Sequence, residues 1–154
     1  MSVLDNGAAL RKGLLGLTVT RATATLPATT QAAIFTISGG QVLVTGLIGT
    51  VTTATGATAT TLQVVGNPTS GTDVNLSTAV SVASKEIGTI ITLGTSVGGA
   101  LSVQNAGGGA LPLGTGFVLN AGTLDLVTSA TNTGSVKWTL TYVPIDSGAS
   151  VTAA

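Results

Sequence analysis

The feature that most constrains this chain is an alternation of apolar and polar residues with a period of two. It is clearest in residues 135–143, which read Ser-Val-Lys-Trp-Thr-Leu-Thr-Tyr-Val. Successive side chains of a β-strand point to opposite faces, so Val136, Trp138, Leu140 and Tyr142 are predicted to share one buried face. Trp138 is therefore interpreted as a core residue rather than as a platform for a ligand.

Shorter runs of the same kind recur along the chain, separated by turn residues every 8–12 positions or so. The runs predicted as strands are residues 18–25, 33–38, 41–53, 60–65, 74–82, 89–93, 117–120, 122–128 and 135–143. No helix of useful length is predicted. The pattern indicates an all-β fold, an antiparallel β-sandwich or jelly roll of about eight to ten short strands with an extended N-terminal arm.

Two pairs of these runs are predicted to be hairpins. One pair flanks Gly39-Gly40, and the other consists of residues 117–120 and 122–128. Both pairs have very short connections, and Gly-Gly is a common turn between antiparallel strands. Gly46 interrupts a β run and is predicted to mark a bulge.

The chain is predicted to have three parts: an N-terminal arm at 1–17, a β-sandwich domain at 18–146 and a flexible tail of small residues at 147–154. A single helical turn is expected near residues 8–10 and is expected to end at Gly13. One turn is too short to be stable alone.

Two interpretations of the arm stay open. It is either a frayed terminus or a segment that becomes ordered on a neighbouring subunit. In the second case its leucines are the apolar anchors, and two cations lie among them. The candidate interface residues are Leu10, Arg11, Lys12, Leu14, Leu15 and Leu17.

Charge is scarce in this chain. Charged residues make up 6%, against about 25% in an ordinary domain, and the five cations and five acids cancel. Hydrophobic residues make up 44%, which argues against a disordered linker. With 29 Thr and 22 Gly, the surface is expected to be neutral and to favour association with other subunits. Such a surface predicts neither nucleic-acid binding nor membrane binding.

The residue types needed for common catalytic sites are missing. The chain has no His and no Cys, which excludes a Ser-His-Asp triad and any thiolate site. The five acids are scattered, so no catalytic, cofactor-binding or metal-binding residue is assigned and no enzymatic activity is predicted. Residues 72–75 could offer oxygens to calcium, but a turn in which Asp73 bonds its own backbone is the favoured interpretation.

Asp125 alternates with two leucines and is predicted to face solvent or an interface. Lys137 on an adjacent strand is its expected partner, in a cross-strand pair worth about 0.2–1 kcal/mol.

Three stretches carry a resemblance to a known group of proteins. Residues 26–44 contain Leu-Pro and then Ile-Phe-Thr-Ile-Ser-Gly-Gly-Gln-Val-Leu-Val, and residues 67–74 read Asn-Pro-Thr-Ser-Gly-Thr-Asp-Val. Residues 129–144 read Ser-Ala-Thr-Asn-Thr-Gly-Ser-Val-Lys-Trp-Thr-Leu-Thr-Tyr-Val-Pro. Together they resemble virion structural proteins of tailed bacteriophages, and most of all capsid decoration, or cement, proteins.

The resemblance implies a specific role. It implies a β-sandwich subunit, a homotrimer, that lies on the exterior of the phage head and clamps neighbouring copies of the major capsid protein. A tail or fibre component with a receptor- or glycan-binding role is the alternative. Sites that bind glycans usually need exposed aromatic rings, and this chain has only one Trp, one Tyr and two Phe.

Overall fold

The chain folds into two antiparallel sheets. The computed structural model describes residues 7–94, 96–110 and 116–154, and one helix in these ranges, α1 (Gly7–Leu15), precedes the strands. The first sheet contains β1 (Leu17–Thr25), β3 (Val42–Thr53), β7 (Ile90–Thr92), β8 (Ser102–Gln104), β9 (Phe117–Leu119) and β11 (Ser135–Pro144). The second contains β2 (Gln31–Ser38), β4 (Thr61–Pro68), β5 (Val74–Asn75), β6 (Val80–Ser81), β10 (Gly122–Thr128) and β12 (Ser150–Ala153). The predicted all-β sandwich is confirmed.

Most strand pairs join distant parts of the chain. The first sheet has the order β1-β11-β3-β7-β8, and β9 pairs with the start of β3 on the same side as β7. The second sheet has the order β12-β2-β10-β4-β5, and β6 pairs with β4 beside β5. The strands exceed the predicted eight to ten because several are only two to four residues long.

The core lies between the two sheets and is built by the alternation seen in the sequence. Val136, Trp138, Leu140 and Tyr142 of β11 are all buried, as predicted. Trp138 is the largest of the fully buried side chains. A Cβ at Gly49 on β3 would lie 2.8 Å from the Trp138 ring, so the indole occupies the space that a side chain there would need.

Both predicted hairpins are wrong. β2 and β3 belong to different sheets, and so do β9 and β10, so each short connection crosses from one sheet to the other. Gly39 and Gly40 have φ values of +76° and +135°, which let the chain reverse, but the strands then pair elsewhere. Short-range turn chemistry specifies a change of direction, and the partner is chosen by long-range packing.

The helix in the N-terminal segment is longer than the single turn predicted. α1 continues through Gly13 and ends at Leu15, and the N–H of the following Gly16 donates to the Lys12 carbonyl at 3.0 Å. A glycine inside a helix costs about 1 kcal/mol but does not stop it, whereas a residue with positive φ does, and Gly16 has φ +85°. Leu17 already belongs to β1, so it is part of the sandwich and not of the arm.

The C-terminal segment also departs from the prediction of a flexible tail. Residues 150–153 form β12, which pairs with β2 at the edge of the second sheet. Ala149 and Val151 are buried there. Two inward-facing residues are too few for the alternation to stand out in the sequence.

The bulge predicted at Gly46 is present. Thr141 pairs with Gly46 and Tyr142 with Val44, so Thr45 is the extra residue on β3.

Candidate interaction surface at the arm end of the sandwich

One end of the sandwich is marked by a row of paired residues from four strands of the first sheet. Leu17 pairs with Tyr142, Tyr142 with Val44, and Val44 with Phe117, so these residues form one row across the first sheet. α1 joins this row directly before Leu17. We call the end of the sandwich at this row the "arm end". The opposite end, where β3 stops, is called the "far end".

Exposed apolar side chains are concentrated at the arm end. Within the described ranges, eight large hydrophobic residues are exposed, and only Ile87 lies at the far end, beside Gly88, whose N–H bonds to the Val51 carbonyl. The other seven form what we call the arm-end surface: Leu10, Leu14, Val74, Val97, Val118, Val143 and Ile145. A polarised distribution of this kind is typical of an interaction site, whereas single scattered residues are not.

Strand register and hydrogen bonds place three of these residues near one another. Val118 and Val143 both pair with Leu43, from opposite sides. Ile145 donates its N–H to the Gln41 carbonyl at 3.0 Å, next to the start of β3. The arm-end surface therefore includes part of the outer face of the first sheet and the chain beside the start of β3.

A cavity of about 240 Å³ opens at the same end. Val74, Val97 and Val118 line it together with Phe117. None of the described residues around it carries a charge. Its volume is sufficient for an apolar side chain.

The candidate interface residues of the arm separate into three groups. Leu10 is 46% exposed and Leu14 75%, and their spacing of four puts them on one helix face. Lys12 is also exposed. Leu17 is half-buried and packs against the core. Arg11 and Leu15 lie within α1, and their side chains fall outside the described part of the structure.

The outer face of the first sheet is covered by hydroxyl groups, in agreement with the neutral surface expected from composition. Thr18 pairs with Thr141 and Thr20 with Thr139 across β1 and β11. The Thr20 and Thr139 hydroxyls lie 3.4 Å apart. Hydroxyls can both donate and accept hydrogen bonds, so these threonines can pack against a polar or an apolar surface. The exposed Lys137 lies on the same face of β11.

The predicted pairing of Asp125 with Lys137 is wrong. Asp125 lies on β10 of the second sheet and Lys137 on β11 of the first, so they are not cross-strand neighbours. Asp125 is also not at the solvent, because only 3% of it is exposed. The alternation of a strand predicts which face a side chain takes, but it does not show that Gln31 and Asn67 of other strands bond to Asp125 on that face.

The described ranges contain no helix of the length and apolarity that a bilayer span requires. Comparison of the chain with protein-family models, with curated proteins and with solved structures found no match. The functional assignment therefore depends on the residues and their arrangement.

Proposed function

We propose that this chain is a non-enzymatic structural protein of a tailed-phage virion, a decoration or cement subunit on the exterior of the head. The observation that carries this proposal is the concentration of exposed apolar side chains at the arm end. A nearly uncharged body with one apolar end is suited to docking into a larger assembly. The partners are the major capsid protein and further copies of the chain in a homotrimer.

Stabilisation would follow from mass action. A subunit that binds only the assembled shell stabilises that state by RT ln(1 + [L]/Kd) per site. Leu10 and Leu14 would supply apolar anchors, each worth about 1.5–3 kcal/mol when fully buried. Many copies add their contributions, so that modest affinity per site is sufficient.

Self-association would use two features of the same chain. The exposed leucines of α1 and the cavity lie at one end of the sandwich, and the described residues that line the cavity are uncharged. In this arrangement the helix of one subunit would pack beside the cavity of the next, which is a head-to-tail contact. Such contacts form a closed ring when the rotation between neighbouring subunits permits it.

The finer topology that we propose is a jelly roll. Four antiparallel pairs are nested along the chain: β1 with β11, β2 with β10, β3 with β9, and β4 with β5. The chain is thus folded like one long hairpin that is rolled into two sheets. Jelly rolls occur in viral capsid proteins and in lectins, so this topology supports the class of assembly proteins only by analogy.

The alternative role, a tail or fibre component that binds a glycan, has less support. Three of the four aromatic residues, Phe35, Trp138 and Tyr142, are buried, and Phe117 is half-buried beside the cavity. A sugar ring would therefore find little exposed aromatic surface on which to stack.

Immunogold labelling of native phage particles with an antibody against this chain tests the proposal. We expect label over the head surface. Label on the tail or fibre would favour the alternative and overturn the assignment as a cement protein. Particles without any label would overturn both.

A further inference from the structure

The edge of the second sheet is only partly covered by β12. β12 pairs with Phe35–Ser38, and the Ala154 N–H donates to the Ile34 carbonyl at 3.1 Å. β2 begins at Gln31, so its residues 31–33 extend beyond β12. In the described part of the chain, no strand pairs with residues 31–33 on the side away from β10. An open strand edge presents backbone N–H and C=O groups with which another extended segment can pair.

A cavity of about 80 Å³ lies beside this open edge, between the two sheets. Its lining includes three alanines, Ala24 of β1 and Ala32 and Ala33 of β2, together with Leu126 and Trp138. An apolar cavity of about 150 Å³ can hold benzene, so this smaller one is sufficient for a group such as the isopropyl group of a valine. The edge and the cavity together fit an extended segment that carries a small apolar side chain.

Arg21 indicates the charge that such a segment should carry. It is the only charged residue among the described residues that line the cavity. Its Nε donates to the Ala154 carbonyl oxygen at 3.1 Å. A guanidinium has five N–H donors and can bind a carboxylate through two parallel hydrogen bonds. The segment is therefore expected to contain an acid close to its apolar side chain.

Residues 1–6 of this chain have the required chemistry. They read Met-Ser-Val-Leu-Asp-Asn, and they lie outside the described part of the structure. Val3 and Asp5 are two positions apart, and residues at this spacing point to the same face of an extended segment. One segment can therefore present a valine to the cavity and a carboxylate to Arg21. Six extended residues span up to about 20 Å, which is sufficient to reach from one subunit to the next.

We propose that residues 1–6 of a neighbouring copy bind along residues 31–33 of β2, with Val3 in the cavity and Asp5 paired with Arg21. This inference rests on the proposed homotrimer and deepens it, because it names a contact between the subunits. The contact does not involve the capsid, so the purified full chain is sufficient to test it. Its failure would leave the location of the protein on the phage head to be decided by the labelling experiment alone.

An exchange of charges in the full chain tests the contact. Asp5→Lys and Arg21→Glu each place like charges opposite one another, and each should weaken self-association about tenfold or more in sedimentation velocity. The double variant, Asp5→Lys with Arg21→Glu, restores opposite charges and should recover most of the loss. A general loss of structure in either single variant would not be reversed by the other substitution.

Lys137→Glu is the matched control, because it reverses an exposed cation on the outer face of the first sheet. It should leave self-association unchanged, and an effect equal to that of Arg21→Glu would overturn the proposal. Trp138 is the only tryptophan and lines the cavity, so its emission should change with protein concentration in the wild type but not in Asp5→Lys.

The outcomes separate this contact from the homotrimer. Trimers that neither single variant weakens would overturn the contact alone, and so would a double variant that stays as weak as the single ones. A wild-type chain that is monomeric at every concentration would overturn both the contact and the homotrimer.

Discussion

The hydroxyl oxygen of Tyr142 on β11 accepts a hydrogen bond of 3.2 Å from the backbone N–H of Val151 on β12. The two residues belong to different sheets and both are buried. The contact therefore joins the two sheets at the edge where β1 and β12 lie side by side. It also gives an acceptor to the Val151 N–H, which is not used in the pairing of β12 with β2.

Tyr142→Phe should lower the free energy of unfolding by about 1–2 kcal/mol. The ring stays in the core, but the Val151 N–H is left buried without an acceptor, and such a loss costs about 1–3 kcal/mol. Urea unfolding followed by circular dichroism measures the change. Thr20→Val, which removes an exposed hydroxyl, should change stability by less than about 0.5 kcal/mol. Equal effects of the two variants would contradict the role of the Tyr142 hydroxyl.

Asn132 holds the loops of the far end together. Its Oδ1 accepts from the N–H groups of Gly56 at 2.8 Å and Gly134 at 3.1 Å, and its Nδ2 donates to Thr60 Oγ1 at 3.2 Å. Asn132→Ala should lower the free energy of unfolding by about 2–4 kcal/mol, because several buried polar groups lose their partner at once. The exposed Asn105→Ala is the control. A midpoint in urea that is the same for both variants would show that Asn132 is not a structural link.

Gly49→Ala should destabilise the core by about 1–3 kcal/mol through overpacking against Trp138. The added methyl group would lie 2.8 Å from the indole. Tryptophan fluorescence should report the displaced ring, and thermal unfolding should report the lost stability. Gly107 has open space around it, so Gly107→Ala should leave both measurements unchanged.

The double variant Leu10→Ser with Leu14→Ser tests the arm. We expect its binding to phage heads, and its self-association in light scattering, to weaken at least tenfold per leucine, since about 1.4 kcal/mol corresponds to tenfold and a buried leucine exceeds that. Thermal stability should not change, because both side chains are exposed.

Ile87→Ser is the matched control for the arm variant. Ile87 is also an exposed, large apolar residue, but it lies at the far end. Its replacement should leave binding unchanged. If it weakens binding as much as the arm variant does, the arm end is not the docking site. Truncations of the arm should stop before Gly16, because Leu17 already belongs to β1 and pairs with Tyr142 of β11.

Residues 135–143 show how much of the fold can be read from the sequence. Their alternation is strict and long, so face and burial follow directly, and the abundance of Thr predicts the hydroxyl-covered surface. Gly39-Gly40 shows the limit, since a turn signal is local whereas the choice of sheet depends on strands far along the chain. Asp125 shows it again, because its hydrogen-bond partners Gln31 and Asn67 lie on β2 and β4, which no short window of sequence brings together.

The nested strand pairing has a consequence for the order of synthesis. β1 is made first among the strands, but its hydrogen-bonding partner, β11, lies more than a hundred residues later. The first sheet can therefore not close while the ribosome is still short of residue 144. Until then unpaired, weakly charged β segments stay accessible to one another, and non-local pairing of this kind is intrinsically slow and prone to aggregation. Yields of native protein should thus depend on chaperones that cover these segments until β11 has been made.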